Sequence, residues 1–362
     1  MVSLLLSLFV RGEILVIYDE NGKIDILSLL SDELEEQILK IGEKKFRAKQ
    51  IFEWLHVKKI EDFSSMTNLS VQLRDKLNEV FCLKSLFVAK KLESSSDNTV
   101  KYLYRLPDGN HVESVVMEYS YGNTICVSTQ VGCKMGCRFC ASTIAGYKRN
   151  LTSSEILLQI YESERNSGRK ISGVVLMGIG EPLDNYDNVV NFLKLLSCEK
   201  GFNMSLRHVS VSTCGVVPKI YELAELKLGI TLSISLHATN NKARSEIMPV
   251  NNKYDINELL TACRYYFKVT GRRISFEYAL IDGHNDSREN AIELSHLLNN
   301  FVCHVNIIPV NKIKERNFHS DRKSAYRFQK YLEELGINAT VRRTLGADID
   351  AACGQLRREY EI

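Results

Sequence analysis

Residues 133–140 read Cys133-Lys134-Met135-Gly136-Cys137-Arg138-Phe139-Cys140, a C-x3-C-x2-C loop that directly follows a short β-branched run. Thiolates are the protein ligands of iron–sulfur clusters, and a cubane cluster has four irons, so three cysteines leave one iron open for a small molecule. A structural zinc site needs four closed ligands, and no fourth Cys or His lies at zinc-finger spacing. The loop therefore predicts a [4Fe–4S] cluster held by Cys133, Cys137 and Cys140.

Around this loop, from residue 122 onward, short apolar runs alternate with helical segments. We predict strands at 124–129, 171–177, 208–213, 230–236, 273–280 and 304–309. This alternation is the βα repeat of a parallel sheet, and six units suit an α/β fold of the partial (β/α)6 barrel type. Ligands of such sheets bind at the carboxyl ends of the strands, so the residues just after each run are site candidates.

Three of these strand ends carry suitable groups. The second predicted strand, 171–177, leads into Met177-Gly178-Ile179-Gly180-Glu181-Pro182. Its glycines permit close backbone approach, and Glu181 can accept hydrogen bonds from an ammonium group. Ser212 stands at the next strand end, and Ser235-Leu236-His237 at the one after it. Together they predict a small-molecule site beside the cluster.

The rest of the chain adds smaller units. Up to residue 90 the apolar residues recur at helical spacing, and 101–106 and 111–117 flank a Pro-Asp-Gly-Asn turn, which predicts a β-hairpin. We predict four segments: a small helical accessory domain at 1–90, a β-hairpin extension at 91–121, the barrel at 122–345 and a C-terminal tail at 346–362.

Composition is that of a soluble globular enzyme, with 44% hydrophobic and 25% charged residues among 362. The net charge of +3 allows an anionic partner without requiring one. The apolar start, Met1 to Val10, lacks the basic region and cleavage site of a signal peptide, so we expect an N-terminal extension and a cytoplasmic protein. Ten cysteines in that compartment favour metal or redox chemistry over disulfides.

The cluster loop, with Phe139 before its last cysteine, resembles the radical S-adenosylmethionine (SAM) superfamily. In that superfamily the open iron binds SAM, and one electron cleaves SAM to a 5′-deoxyadenosyl radical. The resemblance implies that SAM is bound by the strand-end residues Gly180, Glu181, Ser212, Ser235, Leu236 and His237, and by Asn311, which matches the family's SAM-binding asparagine.

The C-terminal stretch Asp348-Ile349-Asp350-Ala351-Ala352-Cys353-Gly354-Gln355-Leu356 resembles the signature of the RlmN/Cfr methyltransferases, and the likeness runs from about Lys44 to Leu356. It implies three catalytic residues: Cys353 as methyl carrier, Cys126 as its disulfide partner and Glu113 as proton acceptor. Pro182 and the segment 46–51 favour the RlmN branch, which methylates adenine carbon 2 in 23S ribosomal RNA and tRNA. The Cfr branch, which methylates carbon 8 and confers antibiotic resistance, is the alternative.

Two thiols also suit the chemistry of adenine carbon 2, which has no lone pair to attack a methyl donor. A thiolate can take a methyl group from one SAM, and the radical from a second SAM can activate that group for addition to the ring. Release then needs a base to remove the ring proton and a second thiolate to attack the first sulfur. Glu113 and Cys126 both remain candidates for the base.

RNA and a reductant are the expected partners. Lys44, Lys45, Arg47 and Lys49, with Lys148-Arg149 and Arg342-Arg343, could hold phosphates, although each is equally compatible with a solvated face. We expect recognition of folded RNA with an unstacked base, an electron donor such as flavodoxin or ferredoxin, no membrane contact and a monomer.

Two other functions remain open at this stage. Glycyl-radical activation would leave Cys126 and Cys353 without a role. A zinc-bearing RNA-binding module without catalysis is the competitor from another class, and iron and sulfide analysis would distinguish it.

Overall fold

The computed structural model describes residues 17–311 and 318–356. The apolar start predicted as an N-terminal extension, Met1 to Val10, lies outside the described residues. Among the helices within these ranges, none combines the length and apolar composition that a bilayer crossing requires.

Strands and helices alternate through most of the described chain. The strands are β1 (Ile24–Asp25), β2 (Phe81–Cys82), β3 (Phe87–Glu93), β4 (Val100–Arg105), β5 (His111–Tyr119), β6 (Gly122–Cys126), β7 (Gln130–Val131), β8 (Arg149–Asn150), β9 (Ile171–Leu176), β10 (Val209–Thr213), β11 (Thr231–Ser235), β12 (Ile274–Leu280), β13 (Cys303–Pro309) and β14 (Ala339–Val341). The helices are α1 (Ser31–Lys40), α2 (Lys45–His56), α3 (Val71–Val80), α4 (Ser153–Ser167), α5 (Tyr186–Ser197), α6 (Val217–Glu225), α7 (Asn241–Ile247), α8 (Ile256–Thr270), α9 (Arg288–Leu297) and α10 (Arg322–Glu334).

The main sheet has the strand order β14-β13-β12-β11-β10-β9-β6-β5-β4-β3. From β6 through β9 to β14, every neighbouring pair is parallel, as the βα repeat predicts. The six predicted barrel strands are all present, with ends that differ by a few residues. The short strand β14 extends the sheet beyond the prediction, because three residues carry too little pattern to be recognised.

The predicted hairpin is formed by β4 and β5, which pair antiparallel. β5 also pairs antiparallel with β6, so the hairpin extension and the barrel share one continuous sheet. A further antiparallel strand, β3, pairs with β4 and begins at Phe87, inside the segment predicted as helical. Its side chains are exposed or half-buried throughout, so it lacks the alternation by which a half-buried strand is recognised.

The N-terminal helices pack on the barrel helices through shared buried contacts. Asp25 accepts a 2.5 Å hydrogen bond from Ser154 at the start of α4, and Asn191 on α5 donates to the Ser28 carbonyl at 2.7 Å. Buried apolar side chains of both regions belong to one core cluster. The N-terminal segment is therefore docked on the barrel helices α4 and α5.

Candidate active site

A cavity of about 140 Å³, the main cavity, lies at the carboxyl ends of the barrel strands. The structure brings almost the whole predicted set of cluster and SAM ligands to its wall: Cys133, Cys137, Cys140, Gly180, Glu181, Ser212, Ser235, His237 and Asn311. These residues come from separate strand ends, so the parallel sheet is what assembles them. Leu236 differs, because its side chain is fully buried in the core and does not line the cavity.

The three cysteines of the cluster loop, residues 133–140, line one wall of this cavity. Gly136 has φ +75°, which lets the loop turn between the first two cysteines. The Arg138 N–H donates to the Ile247 carbonyl at 2.9 Å and ties the loop to the end of α7. Burial raises the pKa of Cys133 to about 12, so this thiol ionises readily only when a bound cation compensates its charge.

The chemistry of the donor set fits an iron–sulfur cluster. Cys133, Cys137 and Cys140 all line the main cavity, and thiolates are the protein ligands of such clusters. A cubane would place each thiolate on a separate iron, so three cysteines would leave one iron open for a small molecule.

Glu181 joins two strand ends and also lines the main cavity. Its carboxylate accepts hydrogen bonds from the Leu183 N–H at 2.9 Å and from the Cys214 N–H at 2.7 Å, and burial raises its pKa. The preceding Gly180 has φ +112°, and a Cβ there would lie 2.7 Å from the Gln130 Cβ. The turn therefore requires glycine, and it holds the carboxylate in one orientation.

His237 contributes a neutral imidazole. It has φ +58°, and its Nδ1 accepts a 2.8 Å hydrogen bond from the Ala279 N–H, so Nδ1 carries no proton. Burial lowers the pKa of His237 to about 3. The ring packs edge-to-face against Phe139 of the cluster loop, with centroids 4.9 Å apart. His237 thus contacts the cluster loop directly.

Arg244 is a structural residue that the sequence reasoning missed. Its fully buried guanidinium donates to the Cys214 carbonyl at 2.7 Å, the Ser235 carbonyl at 3.0 Å and Asn251 Oδ1 at 3.1 Å. It therefore fixes the ends of β10 and β11 behind the cavity. A single arginine on a seven-residue helix gives no sequence signal of this role.

A smaller second cavity contains the two cysteines that the family resemblance implies as catalytic. Cys126 and Cys353 line it, together with Val115, Met117 and Arg343. The two cavities adjoin, because they share the lining residues Met177, Ile308, Asn311, Arg342, Cys353 and Leu356. Cys353 is exposed, whereas Cys126 is buried, and that burial raises the pKa of Cys126 to about 12. The structure thus places Cys353 where the two cavities meet.

The C-terminal tail, residues 346–356, is anchored on both sides of Cys353. After it, the Ala141 N–H donates to the Gly354 carbonyl and Ser142 Oγ donates to the Leu356 carbonyl, each at 2.9 Å. Before it, Asp348 accepts hydrogen bonds from Ser94 and Ser95 in the β3–β4 turn. Cys353 is therefore carried by a segment docked against the cluster loop on one side and the hairpin extension on the other.

Glu113 lines neither cavity. Its side chain is 2% exposed and lies 2.7 Å from Lys101 Nζ, which also donates to the Asp350 carbonyl at 3.1 Å. The carboxylate thus orients a lysine that holds the tail. The role of Glu113 as proton acceptor for the substrate stays a prediction.

Six of the eight basic residues predicted to hold phosphates fall into two groups, while Arg47 and Arg342 are half-buried. Arg149 forms ion pairs with Asp108 and Glu155, and Lys45 pairs with Glu35, so their charges are compensated within the protein. Others are exposed, namely Lys44, Lys49, Lys148 and Arg343. Of these, Arg343 lines the second cavity.

Comparison with known proteins supports one family. Residues 24–83 match the ribosomal RNA large subunit methyltransferase N-terminal domain, and residues 127–295 match the radical SAM superfamily. A probable dual-specificity RNA methyltransferase RlmN from Lachnoclostridium phytofermentans is 54% identical, over 93% of this chain and 95% of its own. Another protein of that name, from Clostridium novyi, is 53% identical, over 93% of this chain and 98% of its own.

A solved structure matches the whole fold. A radical SAM methyltransferase from Sphaerobacter thermophilus superposes with a TM-score of 0.88 and 42% identity, covering 92% of this chain and 99% of its own. The fold class predicted from the sequence is confirmed by this match.

Proposed function

Because the chain belongs to the RlmN family of radical SAM methyltransferases, we propose that it methylates carbon 2 of an adenosine in 23S ribosomal RNA and of an adenosine in tRNA. The dual-specificity relatives support the pair of substrates. The observation that carries the proposal is the position of Cys353, which lines both the cavity of the cluster cysteines and the cavity of Cys126. One sulfur can therefore face the cofactor site and a second thiol without a change of fold.

The residues of the main cavity suit the two cofactors of this family. Cys133, Cys137 and Cys140 would hold the [4Fe–4S] cluster, and Glu181 with Ser212 would bind the polar groups of SAM. When bound, these cofactors supply the methyl group and the radical. The protein positions them and excludes water, with His237 and Arg244 keeping the strand ends rigid.

Cys353 is the sulfur that we assign as methyl carrier, because it is the exposed thiol at the junction of the cavities. Cys126 is assigned as the thiol that frees the product. Its thiolate attacks the Cys353 sulfur, the bond between that sulfur and the transferred carbon breaks, and the electron pair stays with that carbon, which takes up a proton. A Cys126–Cys353 disulfide remains and must be reduced before the next turnover.

Burial keeps Cys126 protonated at neutral pH, which prevents it from acting too early. The pKa of Cys126 is raised by desolvation and by the neighbouring Cys353, while Arg342 opposes the rise. Once Cys353 is alkylated it can no longer carry a negative charge, so one cause of the raised pKa is removed. The pull of Arg342 toward the Cys126 thiolate is then opposed by desolvation alone.

The narrow cavities require the target adenine to leave its base stack before it can reach Cys353. A loop in folded RNA meets this requirement at lower cost than a base inside a duplex. We also propose a cytoplasmic location, where both RNA substrates occur, a one-electron donor of the flavodoxin or ferredoxin kind, and a monomeric state.

The decisive experiment is mass spectrometry of nucleosides from 23S ribosomal RNA and tRNA, isolated from cells with and without this protein. We expect 2-methyladenosine in both RNAs, lost on deletion and restored by the wild-type gene but not by Cys353→Ala. Carbon-8 methylation would instead assign the chain the Cfr activity, and unchanged nucleosides would contradict the proposal.

A further inference from the structure

An aromatic pair, Tyr119 and Tyr121, lies beside the small core cluster that contains Met117 and Cys126. Tyr119 ends β5, and Tyr121 lies in the turn that leads to Gly122 of β6. The two rings stack with centroids 5.1 Å apart and an interplanar angle of 6°. Tyr121 is 74% exposed, so one ring face is open to solvent.

The pair is continuous with the wall of the second cavity. Val115, Met117 and Tyr119 alternate along β5, so their side chains lie on one face of the sheet, and Val115 is directly opposite Cys126. Met117 and Cys126 are both members of a small core cluster against which Tyr119 packs. Tyr119 lies four positions after Val115 on β5, a distance of roughly 13 Å along the strand. A short stretch of extended RNA backbone covers that distance.

Positive charge accompanies the aromatic pair. Arg342 and Arg343 line the second cavity, and Arg343 is exposed. Burial raises the pKa of Tyr119, and both guanidinium groups are near enough to oppose that rise. The nearest acidic neighbour on β5, Glu118, lies on the other face of the sheet, where it is 3.8 Å from Arg169.

We propose that Tyr121, backed by Tyr119, is a stacking platform for a nucleobase adjacent to the adenosine that enters the second cavity, and that Arg343 of the cavity wall contacts the RNA backbone. The inference rests on the proposed function and specifies how that site binds RNA. Aromatic faces beside cationic side chains bind single-stranded RNA because every base can stack, while the cation neutralises phosphate. The stack between Tyr121 and the base next to the target also compensates for the stacking energy that the target base loses when it leaves the RNA loop.

The test compares Tyr121→Ala with Tyr121→Phe, which keeps the ring and removes only the hydroxyl. A matched control is Tyr326→Ala on α10, which removes another exposed tyrosine, 54% accessible and remote from both cavities. Affinity is measured by fluorescence titration of a tRNA transcript, with the Michaelis constant and turnover number from methylation assays. Methylation of Cys353 without RNA, read by intact-protein mass spectrometry, reports the cofactor half of the reaction.

We expect Tyr121→Ala to weaken tRNA binding and raise the Michaelis constant roughly 5- to 100-fold, the usual effect of losing one base–aromatic stack. Turnover number and Cys353 methylation should change little. Tyr121→Phe and Tyr326→Ala should resemble wild type. Arg343→Gln should weaken binding of all RNAs and reduce its salt dependence.

Two results would overturn the platform while leaving the proposed function intact, provided that the wild type methylates the tRNA. One is wild-type affinity in Tyr121→Ala, and the other is equal weakening in Tyr121→Phe, which would indicate a hydroxyl contact rather than stacking. If the wild type neither binds nor methylates the tRNA or the 23S ribosomal RNA, the proposed function fails and the platform fails with it.

Discussion

Lys101 Nζ lies 2.7 Å from Glu113 Oε1, in an ion pair whose side chains are only 4% and 2% exposed. The same ammonium group donates a hydrogen bond to the Asp350 carbonyl in the C-terminal tail, at 3.1 Å. A buried ion pair rarely adds net stability, because desolvation offsets the attraction between the charges. Its value here is positional, since it couples the hairpin extension to the segment that carries Cys353.

Lys101→Met should therefore loosen the tail. It removes the donor to Asp350 and the ion-pair partner of Glu113, and the loss of one partner from a buried ion pair costs about 3–5 kcal/mol of unfolding free energy. We expect faster alkylation of Cys353 by iodoacetamide and lower protection of the tail against hydrogen exchange. The double variant Lys101→Met with Glu113→Gln should recover part of the lost unfolding free energy, but its tail should stay as loose as in Lys101→Met.

The control for this prediction is Lys91→Met, which removes a lysine from the exposed ion pair with Glu93 on β3. Exposed pairs contribute at most about 1 kcal/mol, so this variant should resemble wild type in both assays. Wild-type alkylation and exchange rates in Lys101→Met would refute the coupling between the ion pair and the tail.

Cluster assembly is the second prediction. Cys133→Ala, Cys137→Ala and Cys140→Ala should each lose the iron and sulfide of the anaerobically reconstituted protein, because a site with three thiolates cannot lose one and hold the cubane. Cys303→Ala, at a half-buried position on β13, should keep both. Full iron content in any cluster-loop variant would contradict the assignment of its cysteine.

The sequence predicted the site best where the chemistry is local. The spacing of three cysteines within eight residues and the polar residues after each strand need no knowledge of distant contacts, and both sets line the main cavity. Parallel strand order then follows from the βα repeat. These features were predictable because one short pattern specifies each of them.

Contacts between distant segments were not predictable in the same way. Lys101 lies in a strand whose sequence alternates in character, where a lysine is usually solvated, yet here it pairs with Glu113 and donates to the docked tail. Arg244 is likewise buried by strand ends that are separate in sequence. The resemblance implied a proton-accepting role for Glu113, which stays a prediction, but the structure adds the ion pair with Lys101 that no motif contains.

SAM binding is the third prediction, and Ser212 and Glu181 should behave differently. Ser212 is half-buried on the cavity wall, so Ser212→Ala should weaken SAM binding with little loss of stability. Glu181→Ala also frees the Leu183 and Cys214 N–H groups, so it should reduce both SAM affinity and the unfolding free energy, the latter by about 1–3 kcal/mol for each unsatisfied group. Calorimetric titration and denaturant unfolding measure the two effects; unchanged affinity in both variants would place SAM elsewhere.

The fourth prediction concerns the pH dependence of stability. Burial lowers the pKa of His56 to about 3 in the folded state from about 6.5, and its Nδ1 lies 3.0 Å from the Tyr161 hydroxyl. Above pH 6.5 the imidazole is neutral in both states and has no effect. Below pH 6.5, His56 binds a proton in the unfolded chain but not in the folded protein. His56 should therefore lower the unfolding free energy by up to about 1.4 kcal/mol for each pH unit of acidification.

His56→Phe should remove this contribution. The variant should be less stable than wild type at neutral pH, because Tyr161 loses its partner, but its unfolding free energy should fall less steeply between pH 6.5 and pH 3, the range set by the two pKa values. His208→Gln, at an exposed position, should keep the wild-type slope. Equal slopes in wild type and His56→Phe, measured by denaturant unfolding, would show that His56 does not titrate on unfolding in this range.

The last prediction follows from the order of the two thiol steps. Because Cys353 is exposed where the cavities meet and Cys126 is buried in the second cavity, Cys126→Ala should still allow methyl transfer to Cys353 and attachment to the base, but it should block release. The variant should purify crosslinked to RNA, and nuclease digestion followed by mass spectrometry should find a nucleotide-sized adduct on Cys353. Cys353→Ala should show neither adduct nor RNA methylation, and Cys303→Ala should turn over normally. Free turnover by Cys126→Ala, or an adduct that persists in Cys353→Ala, would refute the two-thiol assignment even if the cluster and RNA substrates proved correct.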